Sequence, residues 1–144
     1  MPPAYDPDCP FCRIAAGAEP AHLVLDEPDH VAFLDTRPLF HGHSLLIPRA
    51  HRETLWDLPE PEVGPLFEAA RRLSVAVREA MGAQGAFVAI NNVVSQSVPH
   101  LHVHVVPRVR KDGLRGFFWP RTKYESAEQA ARVAERIAVA LEAA

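Results

Sequence analysis

The sequence is poor in the features that mark most specialised classes of protein. Among its 144 residues are two cysteines and a nearly balanced set of charges, with a formal net charge of −3. No run of about 18 apolar residues marks a membrane span, and the charge balance gives no hint of bulk nucleic-acid binding. Residues 1–8 carry two aspartates and no apolar core, so we expect no secretory signal and a cytoplasmic protein.

The composition is otherwise that of an ordinary globular chain, with 48% hydrophobic and 23% charged residues. This length is enough to bury one sizeable core, so we predict a single domain over residues 1–144. The proline-containing residues 1–8 are predicted to form an extended arm.

Three histidines occupy every second position of one short stretch, at His100, His102 and His104. This period of two predicts a β-strand with imidazoles on one face and aliphatic side chains on the other. A half-buried strand with a polar outer face is the plain alternative, but such faces usually carry threonine, lysine or glutamate. Since imidazole can act as nucleophile, metal ligand and proton carrier, the stretch indicates a functional site.

Hydrophobic periodicity predicts an α+β fold: a five-stranded antiparallel sheet with one long helix packed on its aliphatic face. The strands are predicted at residues 22–26, 30–35, 44–48, 87–91 and 100–106. A short helix is predicted at 11–16, a long one from Val63 to a stop at Gly82, and a C-terminal one at 125–143 with Ser126 and Gln129 as a capping box. The apolar stripe of the long helix is Val63, Leu66, Phe67, Ala70, Leu73, Val77, Ala80 and Met81.

Residues 108–124 are basic and surround the aromatic residues 117–119. This segment is either a solvated loop or a rim that attracts phosphates.

The two cysteines form a Cys-x-x-Cys pair, Cys9 and Cys12. By itself the pair could be half of a zinc site, a redox pair, or two small buried residues. Zinc prefers four nitrogen or sulfur ligands, and His51 and His100 are candidates for the other two.

Taken together, these motifs resemble the histidine-triad (HIT) superfamily of nucleotidyl hydrolases and transferases, in its zinc-containing Hint-like branch. The resemblance spans about residues 9–108. It is carried by Cys9-Pro10-Phe11-Cys12, Phe33-Leu34-Asp35, Gly42-His43, Pro48-Arg49-Ala50-His51, Gln96-Ser97 and the three alternating histidines.

The resemblance implies a HIT-like fold, a homodimer and a structural zinc ion. The implied zinc ligands are Cys9, Cys12, His51 and His100. An alternative uses all three triad histidines as ligands of a catalytic zinc with a bound water.

The resemblance also implies an active site. His102 would be the nucleophile toward the α-phosphorus of a nucleotide, with His104 and Ser97 at the phosphate and His43 beside the nucleophile. Asp35 would accept the ribose hydroxyls, because a carboxylate offers two acceptors to a vicinal diol. The remaining implied substrate-binding residues are Phe11, Ile14 and Phe33 at the base, and Asn92 and Gln96 near the phosphates.

One stretch departs from the family pattern. The family places a glycine before the glutamine and a longer glycine-rich loop after the asparagine, whereas here residues 93–95 are Val-Val-Ser. Since a backbone approaches phosphate most easily at glycine, we expect a different loop path or a rearranged phosphate site.

The function predicted first is a hydrolase of nucleoside phosphoramidates, acyl-nucleotides or dinucleoside polyphosphates, with a purine nucleotide substrate and no stable nucleic-acid complex. The alternatives are a regulatory nucleotide-binding protein with weak or no turnover, a DNA-adenylate repair domain, and a Cys-x-x-Cys oxidoreductase.

Overall fold

The computed structural model describes residues 5–115 and 120–144, and these form two compact units. The first unit ends at Asp112 and the second begins at Gly113. The first four residues of the predicted arm and the aromatic residues 117–119 lie outside the described residues. A single domain over the whole chain therefore stays a prediction.

The first unit contains a five-stranded antiparallel sheet, as predicted. Its strands are β1 (Leu23–Asp26), β2 (His30–Leu34), β3 (Ser44–Pro48), β4 (Gly85–Ile90) and β5 (Val103–Arg108), in the order β1-β2-β3-β5-β4. Its helices are α1 (Pro10–Ala15) and α2 (Glu60–Ala80), with one 3₁₀ turn at Leu55–Asp57. The α+β prediction with one long helix is confirmed.

Local chemistry explains where several of these elements begin and end. The turn Glu27-Pro28-Asp29 joins β1 to β2 as a hairpin, closed by a 2.9 Å bond from the Glu27 N–H to the His30 carbonyl. Gly17, with φ of 76°, follows the end of α1, and Gly82, with φ of 62°, follows the end of α2. Glycine adopts this left-handed conformation without the steric cost of a Cβ.

Each face of the sheet carries its own apolar cluster. The α2 side holds Ala32, Leu46, Leu66, Leu73, Leu101, Val103 and Val105, all buried. The opposite side holds Cys9, Phe11, Cys12, Val31, Phe33, Leu45 and Ile47, and this is the side on which α1 lies. Because Leu101 and Val103 point to α2, the alternating histidines face the α1 side.

Two boundaries and part of the buried stripe of the long helix differ most clearly from the prediction. The fifth strand begins at Val103 and not at His100, because the chain turns tightly there: the His100 N–H bonds the Val98 carbonyl at 2.8 Å. The long helix begins at Glu60, since Pro61 falls in its first turn, where a missing N–H is tolerated. Phe67 and Met81, assigned to the buried stripe, are each 44% exposed.

The second unit contains helix α3 (Ala127–Ala143), which begins within two residues of the predicted position. The Ser126 hydroxyl accepts from the Gln129 N–H at 3.0 Å, as a capping box requires. The Gln129 side chain accepts from the Glu125 N–H at 2.6 Å, one residue before the helix cap itself.

Within the described ranges, no helix has both the length and the apolarity needed to cross a bilayer.

Candidate active site and metal centre

Four side chains that could hold a metal ion meet beneath α1. The donor atoms of Cys9, Cys12, His51 and His100 all lie within 4.8 Å of one another, and all four residues are buried. The Cys12 Sγ is 3.3 Å from the Nδ1 of His51 and 3.5 Å from the Nδ1 of His100, and the Cys9 Sγ is 3.4 Å from that same His100 nitrogen. Two sulfurs and two imidazole nitrogens match the donor set that zinc prefers.

Hydrogen bonding prepares His100 to act as a ligand. Its Nε2 lies 2.8 Å from the Pro48 carbonyl, and a carbonyl can only accept, so Nε2 carries the proton. Nδ1 therefore keeps its lone pair and faces the two sulfurs. Burial lowers the pKa of His100 to about 4, which holds the ring in the neutral form that a metal requires.

Burial acts on the Cys12 thiol in the opposite sense. Desolvation, opposed by the N–H of Asp6, raises the pKa of Cys12 to about 11, so the side chain is a neutral thiol until a cation offsets its charge. The Cys9 Sγ also accepts from the Cys12 N–H at 3.4 Å, capping the first turn of α1. Both cysteines are free thiols and not a disulfide.

His102 has the tautomer that a nucleophile needs. Its Nδ1 lies 2.7 Å from the His100 carbonyl, so Nδ1 carries the proton and Nε2 holds a free lone pair. Burial lowers the pKa of His102, favouring the neutral ring. The edge of the ring contacts Phe11, with 5.2 Å between ring centroids.

A second chain of hydrogen bonds orients His104. The Leu39 N–H donates to the Nδ1 of His43 at 3.1 Å, so the Nε2 of His43 carries a proton and donates it to the Nδ1 of His104 at 3.0 Å. That leaves the N–H of His104 at Nε2. Burial lowers the pKa of both rings, that of His104 to about 4, and Asp35, 3.6 Å from His43, opposes the effect on each.

A cleft of about 520 Å³ opens over these rings on the α1 side of the sheet. Among its lining residues are seven of the predicted site residues: Phe11, Ile14, Phe33, Asp35, Ser97, His102 and His104. Strand register explains the grouping, because Phe33 pairs with Leu45 on β3 and Leu45 pairs with His104 on β5. The aromatic wall is built by Phe11 against Phe33, edge to face with centroids 5.2 Å apart.

Asn92 and Gln96 lie outside this lining, and their side chains form hydrogen bonds with backbone groups. The Asn92 side-chain oxygen accepts from the Leu55 N–H at 2.8 Å. The Gln96 amide donates to the Glu53 carbonyl at 2.6 Å and accepts from the Val93 N–H at 3.0 Å. The two amides thereby hold the loop 92–96 against residues 53–55.

That loop contains two non-glycine residues in the left-handed region, Val93 with φ of 72° and Ser95 with φ of 63°. For a β-branched residue such as valine this conformation is sterically costly. The short loop thus keeps a backbone path that glycine would adopt more easily.

Several residues of the site were not predicted. The Leu39 N–H, which selects the tautomer of His43, is a backbone group that no side-chain pattern reveals. Glu19, His22 and Arg37 line the cleft but stand in no recognisable spacing. Arg49 lies outside the cleft lining but bonds the last residue of α1, and it belongs to a motif that was noted only for its histidine.

Residues 16–111 match the family model described as the HIT domain. That match covers about two thirds of the chain, and the fold and the histidine arrangement agree with it. The protein belongs to the HIT domain family.

Named relatives include two enzymes. An Arabidopsis thaliana protein named adenylylsulfatase HINT3 is 35% identical over 109 residues, which are 74% of this chain and 55% of that protein. The chain thus spans about half the length of that relative. The Saccharomyces cerevisiae protein named adenosine 5'-monophosphoramidase HNT1 is 31% identical over 114 residues, 78% of this chain and 71% of that protein.

Solved structures agree with this assignment. SMU.412c from Streptococcus mutans has a TM-score of 0.84 at 30% identity, covering 96% of this chain and 88% of that one. A structure described as a zinc-bound histidine triad family protein from Mycobacterium smegmatis has a TM-score of 0.71 at 32% identity, covering 94% and 96%.

Proposed function

We propose that this protein is a nucleotidyl hydrolase. It cleaves nucleoside phosphoramidates, acyl-nucleotides or dinucleoside polyphosphates at the α-phosphate, through a nucleotidyl-histidine intermediate on His102. The observation that supports this most strongly is the bond from the His102 Nδ1 to the His100 carbonyl, which leaves Nε2 unprotonated at a cleft of nucleotide size.

In the first step the Nε2 of His102 forms a bond to the α-phosphorus, and the bond from phosphorus to the leaving group breaks. The leaving group departs with the bonding electron pair and takes up a proton from the solvent. In the second step water attacks the same phosphorus and gives up one proton to the solvent, the bond to His102 breaks with its electron pair returning to Nε2, and the nucleoside monophosphate is released. Covalent capture divides one difficult displacement into two easier ones.

His104 and Ser97 are the groups we assign to the phosphate oxygens. The N–H that His104 retains at Nε2 suits donation to a non-bridging oxygen, and so does the hydroxyl of Ser97. His43 acts through His104, because its own N–H donates to that ring and selects the tautomer. Fixed donors of this kind need no rearrangement as charge develops on the phosphoryl group.

The rest of the cleft suits a nucleoside. Asp35 follows the end of β2 and lines the same cleft as Phe33, and it is the carboxylate we assign to the ribose hydroxyls. Phe11, Ile14 and Phe33 supply an apolar wall for a purine base. We assign Asn92 and Gln96 to holding the loop 92–96, which directly precedes Ser97, so that its backbone lies beside the phosphate.

We assign the Cys9, Cys12, His51 and His100 cluster to a structural zinc ion. Four protein ligands leave no open position for a substrate, so the ion would cross-link α1 to the segment that bears His102. The relative from Mycobacterium smegmatis, described as zinc-bound, supports the choice of metal.

A homodimer is part of the proposal. Phe67 and Val75 on α2 and Val88 on β4 are 44 to 45% exposed, and β4 is the last strand in the order of the described sheet; an edge strand with apolar neighbours favours a partner. The free thiols of Cys9 and Cys12 are consistent with a cytoplasmic location.

Single-turnover labelling tests the function. Protein mixed with an adenosine phosphoramidate and quenched in alkali should carry one adenylyl group, which clears as AMP appears. His102→Ala should form no adduct and lose turnover by on the order of 10⁴-fold or more, while AMP still binds. Undiminished turnover in His102→Ala, or the absence of any adduct during turnover by the native protein, would reject the proposal.

A further inference from the structure

Arg49 connects three segments: the end of β3, where it lies, the β1–β2 turn, and the C-terminal end of α1. From the residue after β3, its Nε donates to the Glu27 carbonyl at 2.7 Å, its Nη1 to the Ala15 carbonyl, and its Nη2 to the Asp26 carboxylate. Its own backbone N–H donates to the Asp29 carbonyl at 2.9 Å. The guanidinium therefore joins the β1–β2 turn to the last residue of α1.

The helix reached by Arg49 carries two parts of the site. Cys12 of α1 belongs to the metal cluster, and Phe11 and Ile14 of α1 line the cleft. A helix of six residues is far too short to be stable by itself, so its position depends on what holds each end. The cysteines hold the N-terminal end, and Arg49 binds the carbonyl at the C-terminal end.

The chemistry of this position favours arginine over lysine. A guanidinium presents N–H donors in several fixed directions, and here three acceptors on two segments are reached at once. Asp26 is 63% exposed, so the ion pair with it contributes little in water. The contacts with the Ala15 carbonyl, on the last residue of α1, and with the Glu27 carbonyl, in the β1–β2 turn, are the ones that fix the position of the C-terminal end of α1.

We propose that Arg49 is a positioning residue for nucleotide binding: by fixing the C-terminal end of α1, it sets the base-binding wall of the cleft and supports the thiol ligands on the same helix. The inference rests on the proposed function for the identity of the ligand. His102, His104 and Ser97 lie outside α1, so loss of Arg49 should weaken nucleotide binding far more than it slows the chemical step.

The experiment compares Arg49→Ala, Arg49→Lys and the control Arg72→Ala in the zinc-loaded, full-length protein. Arg72 is matched because it reaches the same turn, donating to the Glu27 carboxylate at 2.7 Å, but it comes from α2, which packs on the opposite face of the sheet from α1. AMP affinity is measured by calorimetry, kcat and KM with an adenosine phosphoramidate, and metal release with a chromogenic chelator. Circular dichroism shows whether each variant is folded.

For Arg49→Ala we expect AMP affinity to fall about tenfold, KM to rise in parallel, and kcat to stay within about threefold. Zinc release to the chelator should be faster. Arg49→Lys should remain folded, with AMP affinity, KM and zinc release between those of Arg49→Ala and the native protein. A single ammonium can replace only some of the hydrogen bonds that the guanidinium donates. Arg72→Ala should match the native protein in all three measurements.

Native AMP affinity in both Arg49 variants would overturn the inference, and so would equal weakening in Arg72→Ala or a fall in kcat with unchanged KM. Failure of the native protein to bind AMP would overturn it as well. If AMP binding depends on Arg49 but the native protein turns over no adenylate donor, the proposed hydrolase function fails and the positioning role stands.

Discussion

The metal cluster at His100 and the loop 92–96, which precedes the triad in the chain, are built in opposite ways. At the metal cluster, Cys9, Cys12, His51 and His100 are at most 4% exposed, and the rings and sulfurs contact one another in the interior. At the loop 92–96, Val93 and Val94 are 63% and 78% exposed, and two side-chain amides hold the backbone. The first region is fixed by a dense buried cluster, and the second by a few polar contacts at the surface.

The comparison teaches where this chain can tolerate strain. A left-handed valine persists in the exposed loop because Asn92 and Gln96 over-determine the backbone around it. The metal cluster contains no such residue, and its positions are set by complementary donors. We expect changes at the cluster to have large effects on folding and changes at the loop to have small ones.

Cys12→Ser should have the largest effect on stability. Because the binding energy of a structural metal is largely folding energy, the variant should lose on the order of 5 kcal/mol in the free energy of unfolding. Urea unfolding of zinc-loaded protein, with metal content measured by mass spectrometry, gives the value. After chelation the native protein and the variant should be nearly equal; a large residual gap would mean that the metal is not what the thiol contributes.

Acid should have the next largest effect, through His104 and His43. Burial lowers the pKa of His104 to about 4, against about 6.5 in an unfolded chain. Below pH 6.5 the unfolded chain binds more protons than the folded one, so the free energy of unfolding should fall as pH drops from 6.5 toward 4, by roughly 2 kcal/mol for this ring. Above pH 6.5 the ring should contribute no slope.

Urea unfolding between pH 5.0 and 7.5 measures this slope. His104→Gln should make it shallower by the share of His104, and the slope that remains should come from His43, His100 and His102, whose pKa values burial also lowers. Asp35, His43 and His102 are the charged or titratable neighbours of His104, so the test keeps all three unchanged. If the free energy of unfolding of His104→Gln depended on pH as steeply as that of the native protein, His104 would not be a source of the acid sensitivity.

Val93→Gly should give the smallest change, and with the opposite sign. Relief of a left-handed valine outweighs the added chain entropy of glycine, so the variant should gain about 1 kcal/mol in the free energy of unfolding. Val94→Gly is the matched control, because Val94 is also largely exposed but has no positive φ, and it should lose about 0.5–1 kcal/mol.

The gain in Val93→Gly should be the same at pH 5 and pH 7.5, since residues 91–97 contain no titratable side chain. Destabilisation by Val93→Gly would show that the loop is not strained at this position.

Much of the fold followed from periodicity. The alternation around His102 and the apolar run at residues 44–48 predicted their strands, because a half-buried strand must alternate and a buried one need not. The start of β5 was missed because a local turn at Val98 and His100, and not the hydrophobic pattern, decides where pairing begins. The exposure of Phe67 was missed because the hydrophobic pattern of a helix does not show how much of its apolar stripe the neighbouring sheet covers.

The sequence by itself determined which residue types were available and which face of each element they share: the alternating histidines, the Cys-x-x-Cys pair and the two sheet faces all follow from spacing. Only the tertiary structure decided which nitrogen of each histidine is free, because that depends on carbonyls and N–H groups such as those of Pro48, His100 and Leu39. The tertiary structure also decided that the side chains of Asn92 and Gln96 bond to backbone groups of residues 53–55, and that Arg49 bonds to the Ala15 carbonyl of α1. Side-chain spacing carries no information about distant backbone groups, and hydrogen bonds to those groups set the chemistry here.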